Sequence, residues 1–249
     1  MQVDKGYTPG RYTLLAALLL AGLQVQAATV QLCGTSICYE FDDNTTGGNP
    51  GVALYGLPAL LGNSDTLKFS PSSFDADSDP MSAIPTPGES ATFVFSKIFT
   101  LSGGEVGTIS IAEDGDYQII GDASVSANLV VRINDLVDDG PGFGSPFPEQ
   151  IVDSQWFSTS TPTGFSLLNW HLASMVSPAA VFDDLATSVD LSIENHLMAT
   201  AGSGGGYSYI AKKLLLTVSA ATAVVPIPAA LGLSSSALML LAFMRRKPG

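Results

Sequence analysis

Basic residues are scarce in this chain: ten Lys and Arg stand against twenty-three Asp and Glu, and charged residues of all kinds reach only 13%. No Lys/Arg cluster precedes the C-terminal end, so the phosphate-neutralising surface that nucleic acid requires is missing, and nucleic acid is excluded as a partner. Histidine is limited to His171 and His196, and no His-Glu-x-x-His pair exists to hold a protease zinc at one-turn spacing. Both histidines read as ordinary surface or edge residues. A nucleophile elbow is absent too: Gly232-Leu233-Ser234 lacks the closing Gly. No Gly-Lys pair supplies a P-loop, and Gly140-Pro141-Gly142-Phe143-Gly144 is spaced as a turn. Low charge with twenty-five Gly and fifteen Pro in 249 residues excludes a coiled coil or ordinary helix bundle.

Long apolar runs occur only at the two ends. Lys5 and Arg11 precede an uncharged run from Leu14 to Leu23, then Gln24-Val25-Gln26-Ala27. Charged, apolar and small-residue regions in that order predict a secretory signal peptide over residues 1–27, cleaved between Ala27 and Ala28. As a helix the ten-residue run would be about 15 Å long, too short for a ~30 Å hydrocarbon core. Leu32 before Cys33 replaces the Gly or Ala of a lipobox, which argues against lipidation there. At the other end, eighteen uncharged residues from Ile227 to Met244 run directly into Arg245, Arg246 and Lys247. Their rise of about 27 Å predicts one transmembrane helix with Pro228 in its first turn. The basic tail 245–247 should stay cytoplasmic, leaving the bulk of the chain outside.

The final segment, VPIPAALGLSSSALMLLAFMRRK, resembles the PEP-CTERM sorting signal: a short Pro motif, one apolar helix and a basic cluster. Val225, Pro226, Ile227 and Pro228 depart from Pro-Glu-Pro and are similar to the Val-Pro-Leu-Pro-Ala-Ala form. The resemblance covers residues 224–249. It implies export through the Sec translocon, anchoring in the inner membrane, and recognition by an exosortase. It further implies association with exopolysaccharide and the extracellular matrix of a Gram-negative bacterium.

Residues 28–223 then form the exported domain, with five basic residues against twenty-two acidic ones, a formal −17. Such self-repulsion favours solubility and attracts cations. In Cys33-Gly34-Thr35-Ser36-Ile37-Cys38 a turn at Thr35-Ser36 sets the two cysteines opposite each other. The same register pairs Val30 with Phe41 and Leu32 with Tyr39 on one apolar face. An exported hairpin of this kind predicts a Cys33–Cys38 disulfide. Strict alternation marks strands at Val125–Ile133 and Val189–Glu194. An extended run over Tyr207–Val218 joins the latter through the loop Gly202–Gly206. Further strands are predicted at Thr92–Phe99, Val106–Ile111 and Tyr117–Ile120. Phe165–Val176 fits a short helix or a strand, and Thr45–Pro50 and Asp135–Pro148 read as loops. Many short strands punctuated by Gly, Pro and Asp predict a mainly β fold, an antiparallel, jelly-roll-like β-sandwich.

Carboxylates are the one abundant chemical resource. Asp75, Asp77 and Asp79 open like a calcium loop, but Pro80 and Thr86 replace the Gly and Glu of an EF-hand, leaving only a looser calcium site open. Glu113-Asp114-Gly115-Asp116 and Asp138-Asp139-Gly140 read as strand-capping turns. No pair of acids is singled out as a glycosidase pair. The expected function is therefore non-enzymatic: a surface or matrix protein. A calcium-dependent carbohydrate-binding module is the alternative, and a polysaccharide-cleaving enzyme the third reading.

Overall fold

The computed structural model of the chain describes residues 28–45, 49–71, 73–78, 87–136, 150–182 and 186–223. Among them are β1 (Thr29–Cys33), β2 (Ile37–Asp42), α1 (Val52–Tyr55), β3 (Ala59–Leu60), β4 (Thr66–Phe69), β5 (Phe74–Asp77) and β6 (Gly88–Thr100). Then come β7 (Val106–Asp135), β8 (Gln150–Thr159), β9 (Leu168–Val176), α2 (Pro178–Val181) and β10 (Ser188–Thr222).

Two very long strands organise everything else. β7 and β10 pair antiparallel from Asp135–Val189 at one end to Val106–Thr222 at the other. Between Ala201 and Gly206 the register jumps, with Asp122 alone opposite the extra residues. Gly121 (φ 74°) and Gly205 (φ 77°) supply the left-handed backbone that this corner requires. On one side of the corner the sheet order is β1-β2-β6-β10-β7-β8. On the other side β10 is flanked by β4 and β5, β3 pairs with β4, and β7 is flanked by β9. The two halves face each other as layers of a β-sandwich. Phe93 of β6 meets Phe69 of β4 edge-on at 4.9 Å, and Phe157 of β8 stacks with Trp170 of β9 at 6.2 Å.

The core follows from the period of two. In β7, Val125, Ala127, Leu129, Val131 and Ile133 are buried, and in β10 Val189, Leu191 and Ile193 join them, as alternation predicts. Tyr39, Phe41, Tyr55, Phe69, Phe74, Phe93 and Phe95 make a continuous aromatic cluster of tilted and edge-to-face pairs. The N-terminal hairpin has the expected register, Val30–Phe41, Leu32–Tyr39 and Cys33–Cys38, and the disulfide closes it with Cα atoms 4.1 Å apart.

Several sequence-based expectations need correction. Val106–Ile111, Tyr117–Ile120 and Val125–Ile133 are one strand, and Ser188–Thr222 is another, because the Gly-rich segment bends β10 without ending it. Glu113-Asp114-Gly115-Asp116 is not a turn but the interior of β7, where a buried lysine answers Glu113 and Gly115 makes room for Trp170. Leu168–Val176 is a strand, ending the ambiguity of that stretch. Among the described residues no helix is long and apolar enough to cross a membrane. The expected signal peptide, the transmembrane segment 227–244, Val225–Pro228 and Arg245–Lys247 lie outside the described residues.

Candidate functional site: an aromatic sheet face and a buried polar cluster

The outer face of the first half-sheet is the most distinctive surface. Cα register places Ser90 (β6), His196 (β10), Asn128 (β7) and Trp156 (β8) in one row across four strands. The next row holds Thr92, Glu194, Val130 and Ser154, and the one after it Val94, Ser192, Arg132 and Val152. Registered partners in antiparallel strands project to the same side, so these side chains share one surface. Trp156 is 67% exposed on an edge strand, an unusual position for an indole that no core claims. Glu194 ties the polar part together, accepting from His196 Nε2 at 2.8 Å and facing Arg132 at 3.7 Å. Asn128, only 7% exposed, has an Oδ1 that accepts no hydrogen bond. An exposed aromatic plane beside an ion-paired carboxylate can stack against a ring and hydrogen-bond hydroxyls.

A second cluster lies between the layers. Lys212 Nζ donates to Glu113 Oε2, both side chains being 0% exposed. Lys212 reaches this place because β10 bulges between Ala211 and Leu215, so Ile210, Ala211 and Lys212 are all buried in succession. The ammonium stands 5.0 Å from the Tyr55 ring and 5.4 Å from that of Phe74. Asn195, also on β10, donates through Nδ2 to Tyr55 Oη at 2.6 Å, and its carboxamide lies close enough to the Glu113 carboxylate to favour its charged form. Glu113 Oε1 and Asn195 Oδ1 accept nothing. Desolvation raises the Glu113 pKa against the pull of Lys212, and desolvation lowers that of Lys212 against the pull of Glu113. Both groups are thus driven toward their neutral forms.

Of the residues singled out from sequence, Cys33 and Cys38 are joined as expected. Asp75 and Asp77 lie on the outward side of β5, each half-buried, and Asp79 lies outside the described residues. Among the described residues no three His, Cys, Asp or Glu side chains gather as a metal would need. His171 is exposed and bonded to Asp114 at 2.8 Å. Sequence reasoning passed over Trp156, Asn128, Glu113, Lys212 and Asn195 as site residues. The available signals were a tryptophan flanked by polar residues and a double lysine inside an apolar run.

No family model and no curated protein matches this chain. Among solved structures, that of TmCBM61 in complex with beta-1,4-galactotriose is similar over 64% of this chain and 70% of its own. Identity is 8% and the TM-score 0.20, a likeness too slight to carry an argument.

Proposed function

We propose that this is an exported surface or extracellular-matrix protein whose β-sandwich holds neutral exopolysaccharide on the outer face of its first half-sheet. One observation carries the ligand assignment: Trp156 stands exposed in register with Asn128, His196 and Ser90. The C–H face of a pyranose stacks on an indole, while Glu194 and Ser90 offer partners to its hydroxyls. The domain's −17 charge repels polyanions, which favours a neutral glycan. The disulfide-closed hairpin suits an oxidising compartment.

The PEP-CTERM-like tail supplies the route: Sec export, a membrane stop at residues 227–244, then exosortase recognition around Val225–Pro228. Affinity electrophoresis through gels containing the host's neutral exopolysaccharide tests the binding. Retardation of the wild type should weaken at least ~10-fold in Trp156→Ala, the equivalent of about 1.4 kcal/mol, with folding unchanged. Equal mobility with and without polysaccharide refutes it. A periplasmic reporter fused ahead of Val224 tests the route, and an inaccessible reporter would end that part.

A further inference from the structure

The geometry points to a self-made intramolecular amide between Lys212 Nζ and Asn195 Cγ, with Glu113 as the proton carrier. Three buried groups of complementary chemistry, an amine, a carboxamide and a carboxyl, lie between the layers, each at most 1% exposed. Glu113 is ion-paired with Lys212 and feels the Asn195 carboxamide beside it, and Tyr55 links the other two: its hydroxyl takes the Asn195 amide, and the ammonium stands 5.0 Å from its ring. Two oxygens, Glu113 Oε1 and Asn195 Oδ1, are left without a hydrogen atom. A purely structural ion pair leaves such orphans at a cost, whereas a reacting trio uses both.

Each step balances. Lys212 passes one proton to Glu113, which becomes a neutral acid beside a neutral amine, the direction in which desolvation already drives both. The acid then donates to Asn195 Oδ1 and makes Cγ more electrophilic. The Nζ lone pair forms the Nζ–Cγ bond. A second proton travels from Nζ through Glu113 to Nδ2, the Cγ–Nδ2 bond breaks, and ammonia leaves. Glu113 ends as it began in the neutral stage, and no oxidant, metal or energy source is consumed. The aromatic walls of Tyr55 and Phe74 exclude the water that would hydrolyse the carboxamide instead. The product would pin the β10 segment after the corner to the segment before it, joining the two layers covalently.

The test is a chymotryptic digest of the full-length protein, analysed by mass spectrometry. Tyr207 and Tyr209 lie between the two residues, so cleavage separates their peptides unless a side-chain bond holds them. A branched species, lighter than the two peptides together by one ammonia, is expected. It should disappear completely in Glu113→Ala and in Lys212→Arg. Wild-type protein giving two unlinked peptides of full mass overturns the inference, whatever the variants do. A branched species lighter by one water, mapping to Lys212 and Glu113, overturns it as well. The result is independent of glycan binding and of tail processing, since neither enters the digest.

Discussion

Asp65, in the turn between β3 and β4, presents a sharp test of how the N-terminal hairpin is held. Its Oδ1 accepts from the backbone N–H of Ser36 at 2.9 Å and of Ile37 at 3.1 Å. Its Oδ2 accepts from the hydroxyls of Thr35 at 2.8 Å and Ser36 at 2.5 Å. Gly34 permits the approach, because a Cβ there would stand 2.4 Å from Oδ1. Desolvation opposes ionisation, but the bonds from Ser36, Thr35 and Ile37 outweigh it and lower the pKa from 3.8 to about 2. At 1.36 kcal/mol per unit the shift amounts to roughly 2.4 kcal/mol, and partial exposure discounts it to about 1–2 kcal/mol. Because the folded-state pKa lies below the unfolded one, this contribution is complete above 3.8 and is lost as pH falls toward about 2. Asp65→Ala should therefore lower stability by about 1–2 kcal/mol near neutrality, or roughly 2–8 °C in Tm for a domain of this size. The measurement is a pair of urea titrations, wild type and variant, repeated across that window. Other carboxylates cancel in the comparison, including Asp153, whose pKa is lowered by bonds from Ser174 and Gln155. The two curves should converge at the acid end. A gap of constant size at both ends would show that the turn is held by shape and not by the charge.

Removing the ring of Phe93, which contacts Phe41, Tyr55, Phe69 and Phe95, should cost about 3–5 kcal/mol as Phe93→Ala in the same urea assay. Gly115→Ala would set a Cβ 2.1 Å from the Ala211 carbonyl and 2.4 Å from the Trp170 indole nitrogen. It should cost about 1–3 kcal/mol by overpacking and shift the fluorescence of Trp170 as its bond to Ala211 O breaks. Reducing Cys33–Cys38, which closes a very short loop, should lower stability by about 2 kcal/mol, read as a reductant-dependent drop in Tm.

What was legible in the sequence is what period two can write. The hairpin register and the buried faces of Val125–Ile133 and Val189–Ile193 follow directly from apolar alternation beside polar neighbours. β8 was illegible for the same reason: its inner positions include Asp153 and Gln155, which bond each other and Ser174, so the amphipathic pattern is erased. The acidic run at Glu113–Asp116 has turn composition, and nothing local shows that Lys212, ninety-nine positions away, will answer it. Phe74–Asp77 looked like a loop because two of its four residues are acids. Yet Phe74 and Ala76 are buried, and the aspartates share the outward side. The Trp156 row depends on three strand pairings at once, information that exists only when the sheet is assembled.

The buried cluster is hard to justify on stability alone. Glu113 and Lys212 are the charged side chains of the buried set among the described residues, surrounded by aromatic rings that would pack as well against leucine or methionine. Replacing such a pair with apolar residues of similar volume is often neutral or stabilising by about 1–4 kcal/mol, so a pair retained only for stability gains little. Here the pair is accompanied by a carboxamide with an idle oxygen, and a bulge in β10 spends ladder hydrogen bonds to turn the lysine inward. Those are three separate costs at one spot. A single covalent bond would account for all three: the bulge aims the nucleophile, the carboxyl moves its protons, and the idle oxygen becomes that of the new amide. For an acidic domain that repels itself, a bond between the two layers would also resist unfolding. A branched peptide short of one ammonia is the mass that such a bond must leave in the digest.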